Sequence, residues 1–331
     1  MSMNQVGILG FGKMGQIRAE TIENTKKAVV KSVYEYSDQI KIEDYNKVES
    51  PDEIFSDTEI DIIFVCTPNF LNKEYTIKGL EAGKHVFCEK PPAFTADDVQ
   101  EIIEVEKRTG KKLMYGFNHR HHSSIKHMKG LIKSNEYGKI LWMRGRYGKS
   151  VDESFFKGWR AKRELAGGGI FIDQGIHMLD LFLHFAKDFD EIHAIVSDLY
   201  WGLDIEDNVF AMFKNTETGI AASLHSTMTQ WRHLFSIEVF LEKGYMVLNG
   251  LKTSSGTYGD EVLSIAKNRS TAPAATWEDE ERITFHTNSS WRSEIDHFME
   301  CITEDKAVSV GSSNDALKLM KIIDKVYENA K

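Results

Sequence analysis

Val6-Gly7-Ile8-Leu9-Gly10-Phe11-Gly12-Lys13-Met14-Gly15 is an apolar run that meets three glycines spaced G-x-G-x-x-G, with a helical pattern directly behind them. Glycines at that spacing let a chain turn sharply off a strand and bring its backbone close to a pyrophosphate. They also let the next helix pack tightly on the sheet with its N-terminal amides toward the anion. Gly10, Phe11, Gly12, Lys13, Met14 and Gly15 are therefore expected to hold a dinucleotide. Twenty residues on, Glu35 ends the strand-like stretch 28–35. A carboxylate there accepts both adenosine ribose hydroxyls and repels a 2′-phosphate, so NAD is the expected cofactor and NADP the less favoured one. The plainer alternative for Glu35 is a solvent-facing strand end, and Lys31 and Lys41 lie close enough in sequence to compete with the argument.

Outward from that turn, short β-like runs alternate with helical patterns, the signature of parallel strands joined by helical crossovers. Strands are expected at 59–66, 85–88 and 112–117, and helices at 14–24, 71–82 and from 96 to Gly110. Gly83 and Gly110 stand where helix C-termini favour glycine, and Thr95-Ala96-Asp97-Asp98 resembles a capping box with Asp in the place of Glu. From about Asn118 the pattern changes to one helix (125–133) and longer alternating strands at 139–147, 191–197, 208–213, 219–227 and 235–242. Helices at 291–304 and 314–330 close the chain. The expected fold class is α/β. It comprises an N-terminal Rossmann domain, a doubly wound parallel sheet over residues 1–118, and a C-terminal α+β domain over 119–331. The second domain has a large open, mostly antiparallel sheet, and a late helix has room to pack back on the first.

Composition sets limits. A chain of 331 residues is long for one core. A net charge of −9 with scattered basic residues argues against nucleic acid as a partner. No window approaches the ~18 apolar residues of a membrane span, and no charged stretch followed by an apolar run precedes the first strand. Cys66, Cys88 and Cys301 are an odd count without metal-ligand spacing, which suits reduced thiols. A cytoplasmic protein without metal is the expectation.

Ligands of an open α/β sheet lie beyond the carboxyl ends of its strands. The turns at those ends are Gly10 to Gly15, then Thr67-Pro68-Asn69 leading to Leu71, then Glu89-Lys90-Pro91-Pro92, then Asn118-His119-Arg120. Lys90 is the sharpest candidate: two prolines stiffen the backbone behind it, and an ammonium beside a nicotinamide can hydrogen-bond a substrate alcohol and help move its proton. Its bland alternative is a solvated loop lysine paired with Glu89. A second cluster is Gly167-Gly168-Gly169-Ile170-Phe171-Ile172-Asp173-Gln174-Gly175-Ile176-His177. On a regular helix Asp173 and His177 are i and i+4 on one face, so the carboxylate can orient the imidazole as a base. A surface ion pair, or two ligands of a metal with no convincing third, are the alternatives. Trp159 and Arg160 are candidates to cover a ring and reach a cofactor phosphate, against a merely solvated basic loop. Asn118, Arg120 and Tyr147 are candidates to line the substrate crevice. His119, His121, His122 and His127 are flanked by Arg120 and Lys126, which oppose a cation, and are expected as surface or helix-start residues.

Together these residues resemble the glucose–fructose oxidoreductase, inositol 2-dehydrogenase and rhizopine catabolism (Gfo/Idh/MocA) family over nearly the whole chain. The selective elements are Glu89-Lys90-Pro91 and the run from Gly167 to Asp180 that carries Asp173-x-Gly175-x-His177. The resemblance implies reversible, NAD(P)-dependent oxidation of a secondary alcohol on a sugar, cyclic polyol or sugar derivative. Lys90, Asp173 and His177 match the family's catalytic lysine, aspartate and histidine, and the open sheet typically makes a homodimer or homotetramer interface. Asn72 stands where many members have histidine, which puts one cofactor contact in doubt. The alternatives are redox-neutral, NAD-assisted glycoside cleavage and a non-catalytic NAD-binding regulator.

Overall fold

In a computed structural model describing residues 3–269 and 271–329, the chain forms two compact units: Met1–Asn118 with Ser290–Lys321, and His119–Ser289 with Ile322–Lys331. The first unit runs β1 (Asn4–Leu9), α1 (Lys13–Thr25), β2 (Ala28–Tyr34), β3 (Lys47–Val48), α2 (Pro51–Ser56), β4 (Ile62–Val65), α3 (Asn72–Glu81), β5 (His85–Cys88), α4 (Ala96–Thr109) and β6 (Leu113–Tyr115). Its six strands are parallel in the order β3-β2-β1-β4-β5-β6, so the chain winds outward in both directions from β1. Val6, Ile8, Ile62, Phe64, Val86 and Phe87 are fully buried, as strands covered on both faces require. The sequence reading passed directly from Glu35 to residue 59 and missed β3 and α2. Their signal was present: Ser50 caps α2, Pro51 occupies its first turn, and Glu53 bonds back to the Ser50 amide at 2.9 Å.

The second unit runs α5 (Ser123–Ser134), β7 (Ile140–Ser150), α6 (Arg163–Ala166), α7 (Ile176–Ala186), β8 (Glu191–Ser197), β9 (Asn208–Lys214), β10 (Ala221–Thr227), β11 (Thr229–Leu241), β12 (Gly244–Asn249), β13 (Glu261–Lys267) and β14 (Glu281–Phe285). These strands form one eight-stranded sheet, β14-β13-β12-β11-β7-β10-β9-β8, antiparallel except where β7 lies parallel to β10. Alternation decides its faces. Met143, Gly145 and Tyr147 of β7 point to the side covered by α7, where a Cβ on Gly145 would lie 2.5 Å from Met178. On the other side Trp142, Ile195, Phe210 and Met212 are exposed. β12, β13 and β14 were absent from the sequence reading. The chain closes with α8 (Ser290–Thr303) and α9 (Ser313–Glu328); α8 and the first half of α9 belong to the first unit. Ala330, the expected end of the last helix, lies outside the described residues.

Candidate functional site

In the first unit the strand ends stand side by side along one sheet edge. Gly10 takes φ +87°, and a Cβ there would lie 2.7 Å from the Cys66 carbonyl oxygen. A Cβ on Gly15 would meet the Gly10 carbonyl oxygen at 2.1 Å, so this helix start can approach the strand only as glycine. At Gly12, by contrast, a Cβ would meet nothing within 4 Å. No side chain caps α1 and no acidic residue lies in its first turn, whereas α2 and α4 carry full capping boxes. The start of α1 thus carries no side-chain cap and has room beside Gly12, an arrangement that a pyrophosphate fits. Lys13 is exposed and Met14 half-buried beside it.

Glu35 is half-buried just past β2. The amide of Phe11 donates to its Oε2 at 2.6 Å and the amide of Ser37 to its Oε1 at 2.9 Å. The turn therefore holds this carboxylate in place beside the glycines, with lone pairs left for ribose hydroxyls. Glu35→Gln keeps the acceptors and removes the charge. The ratio of NADP to NAD dissociation constants, read by titration, is expected to fall by at least about tenfold. An unchanged ratio would mean the carboxylate does not select between the two.

The turn after β4 carries Thr67, Pro68 and Asn69, with Leu71 bonded back to Pro68 at 3.0 Å. Asn72 is fully buried at the start of α3. Its Nδ2 donates to the carbonyls of Glu89 (3.3 Å) and Pro91 (2.8 Å), and Thr67 Oγ1 donates to its Oδ1 at 3.3 Å. This residue, which stands where many members of the resembled family have histidine, fastens the backbone on both sides of Lys90. Lys90 itself is half-buried. Its neighbour Glu89 points away into a buried network: Arg18, 0% exposed, reaches Glu89 at 2.6 Å and Glu294 at 2.6 Å, with its guanidinium 4.4 Å from the Phe87 ring centroid and 4.7 Å from that of Trp291. Burial opposes the charge, but the two carboxylates outweigh it and hold the guanidinium above its usual value. Glu89, expected to touch cofactor, is thus a partner of Arg18. Asn118 is buried, with Nδ2 3.4 Å from Ser290 Oγ. Burial raises the Cys66 thiol well above its ordinary value and the Cys88 thiol to about 12, which excludes both as thiolate nucleophiles near neutrality.

In the second unit the glycine triplet is explained by what it packs against. Gly167 takes φ +83°; a Cβ on Gly168 would lie 2.3 Å from the Tyr327 hydroxyl, and one on Gly169 would lie 2.0 Å from the Glu206 carbonyl oxygen. Glu206 is buried, and its Oε1 accepts from Gly169 N (2.8 Å), Phe171 N (3.1 Å) and Tyr327 Oη (2.8 Å). Burial raises its carboxyl despite these three donors. Sequence reading missed Glu206 and Tyr327, which anchor the entry to the helix.

That entry differs from the regular helix expected. Residues Phe171–Gly175 form a π-helical turn and α7 starts at Ile176. The wider turn changes the i, i+4 geometry on which the pairing of Asp173 with His177 was argued. The Asp173 carboxylate also has partners that were not foreseen for it: it accepts from Lys149 Nζ at 3.3 Å and Gln174 Nε2 at 3.1 Å, and it forms an ion pair with Arg160, whose Nε lies 3.7 Å away. Lys149 continues the inward alternation of Met143, Gly145 and Tyr147, a signal lost when the strand was ended at 147. Arg160 is exposed and lies over its neighbour Trp159, 4.3 Å from that ring's centroid.

His177 is 5% exposed, and its ring stacks on His119 with centroids 3.9 Å apart and planes 15° from parallel. His119, His121 and His122 are all buried, which corrects the surface expectation; His122 does precede α5 as its cap residue, and His127 is exposed. The burial is possible because polar partners are supplied: His122 Nδ1 lies 2.6 Å from Glu261, and His119 Nε2 lies 3.0 Å from the Tyr147 hydroxyl. Tyr147 is therefore a buried support for His119, 3% exposed, and not an open wall of a crevice. Arg120 is likewise turned into the core, with a two-pronged bond to Asp180 at 2.8 and 2.6 Å. Among the described residues no group of three His, Cys, Asp or Glu side chains is placed to hold a metal ion.

Residues 4–117 match the family model described as an oxidoreductase family with an NAD-binding Rossmann fold, and residues 125–247 match the GFO/IDH/MocA C-terminal domain. The chain belongs to the GFO/IDH/MocA oxidoreductase family. It is similar to the D-glucoside 3-dehydrogenase of Escherichia coli (strain K12), 36% identical over 126 residues; the match spans 38% of this chain but only 35% of that protein. It is 28% identical to the 1,5-anhydro-D-fructose reductase of Ensifer adhaerens over 231 residues, 68% of each chain. A solved levoglucosan dehydrogenase in complex with NADH shares the fold, with a TM-score of 0.88 over 99% of this chain and 97% of that one at 22% identity. The glycine turn of this family member fits the NAD that its first domain's family binds.

Proposed function

We propose that this protein is an NAD-dependent dehydrogenase that reversibly oxidises a secondary alcohol of a sugar, cyclic polyol or sugar derivative. The observation that carries the reading is the buried, stacked His177 at the head of α7, in a chain whose NAD-type domain presents Lys90 from a strand end fastened by Asn72. The relatives' names, glucoside dehydrogenase and anhydrofructose reductase, support a carbohydrate as substrate.

When bound at the glycine turn, NAD supplies the hydride acceptor. Lys90 donates a hydrogen bond to the reacting oxygen and polarises it. His177 accepts the hydroxyl proton as the carbinol carbon is oxidised. Asp173 orients this base, and Lys149, Arg160 and Gln174 fix where its carboxylate stands. Thr67, Pro68, Asn69, Leu71, Asn118, Trp159 and Arg160 complete the cofactor and substrate contacts. In the reverse direction His177 returns the proton. The test is NADH formation with myo-inositol, levoglucosan and D-glucosides, and NADH consumption with 1,5-anhydro-D-fructose. Tight NAD binding without turnover of any of these would favour the regulator reading.

We further infer a cytoplasmic homodimer or homotetramer that meets through the open sheet. Support comes from the outer face, where Trp142 stacks on Phe240 (4.1 Å), Phe210 stacks on His225 (4.0 Å), and Ile195 and Met212 are 67% and 61% exposed. A depression of about 340 Å³ among Trp142, Glu191, Met212 and Lys214 interrupts this surface. Among the described residues no helix is long and apolar enough to cross a membrane. Phe210→Glu combined with Met212→Glu is expected to leave the monomer folded and reduce the mass seen by light scattering to that of one chain. An unaltered multimer would place the interface elsewhere.

A further inference from the structure

His177 needs more than a proton affinity to act as a base: its ring must hold one orientation through the proton transfer. The turn that leads into it is π-helical, and the Asp173 carboxylate in that turn is held by Lys149, Gln174 and Arg160. What fills the space against the His177 ring is His119. The two imidazoles overlap nearly parallel at 3.9 Å, both 5% exposed.

His119 is itself held from the other sides. Its Nε2 shares a hydrogen bond with the Tyr147 hydroxyl at 3.0 Å, and the rings of Tyr147, Phe235 and His122 lie 5.7, 5.9 and 5.6 Å away. Tyr147 in turn stands edge-on to Phe235 and Tyr258, at 5.3 and 5.5 Å. An aromatic ring boxed in this way cannot move aside without opening a cavity in a close-packed interior. The π-face of the stacked imidazole suits the His177 ring, and it also suits the imidazolium formed when His177 has taken a proton.

We propose that His119 is a positioning residue for the reaction: its ring face, fixed by Tyr147, holds the His177 imidazole in the orientation that accepts the hydroxyl proton. The proposal rests on the reading of His177 as the base. It concerns the ring face of His119 and not any proton carried by it.

The test compares His119→Ala, which removes the face, with His119→Phe, which keeps it. In the cofactor-free protein, NMR of the His177 ring protons reports stacking directly through ring-current shifts. Those shifts are expected to persist in His119→Phe and to vanish in His119→Ala. With whichever sugar of the set above is turned over, His119→Ala is expected to lower kcat by roughly 10- to 100-fold, with KM for NAD unchanged and with His119→Phe recovering most of the loss. If His119→Ala does not fold, Tyr147→Phe removes only the hydroxyl that fixes the ring, and a smaller fall confined to kcat is expected. Full turnover in folded His119→Ala, or equal losses in both His119 variants, overturns the proposal while leaving the base assignment intact. Full turnover in His177→Ala overturns both.

Discussion

Turnover of Lys90→Met, and separately of His177→Ala, is expected to fall by about 10²–10⁴-fold, the usual contribution of a positioned acid–base group. NAD affinity should stay within about threefold in both, because the groups act on the reacting alcohol and the glycine turn is untouched. Methionine keeps the length and apolar stem of Lys90 while removing its donor, so the Asn72 bonds to the Glu89 and Pro91 carbonyls have no reason to change. For His177 the loss also removes the surface on which His119 stacks, so circular dichroism and a melting curve must accompany the kinetics. A loss seen in KM alone would assign these side chains to binding rather than chemistry.

The second large effect is on stability. Arg18→Met leaves the Glu89 and Glu294 carboxylates buried without their shared cation and puts an apolar side chain where the guanidinium lay near the Phe87 and Trp291 rings. Breaking a buried ion pair from one side typically costs 3–5 kcal/mol, a large part of the roughly 5–15 kcal/mol that holds a domain together. Urea unfolding should show that loss. Arg18→Met with Glu294→Gln should recover part of it, because one uncompensated charge is gone. A change below about 1 kcal/mol in the single variant would show that the network contributes little.

The parallel sheet was legible because its signals are local: a glycine turn at the end of β1, breakers at Thr67-Pro68-Asn69, and glycines at helix ends. Strands β12 to β14 escaped because their inward residues, such as Met246 and Leu248 or Leu263 and Ile265, are short alternations separated by the polar stretch 252–260. The candidate residues at the strand ends were legible for the same reason as the sheet. Their partners were not, since Arg120 with Asp180 and His122 with Glu261 are 60 and 139 residues apart. Arg18 had a readable signal: it lies on the buried stripe of α1 with Gly15, Ala19 and Ile22, where a charge requires a buried counter-charge. The π-helical turn had none, because the close seating of Gly175 between Phe171 and Ser226 is a tertiary fact.

The most direct test of hydride transfer as this protein's chemistry uses a turned-over sugar carrying deuterium on the carbinol carbon. After reaction with NAD, the account predicts that mass spectrometry finds the label on the nicotinamide ring in an amount equal to the ketone formed. Label that returns to the sugar with no net NADH, or that is lost to water, would contradict it.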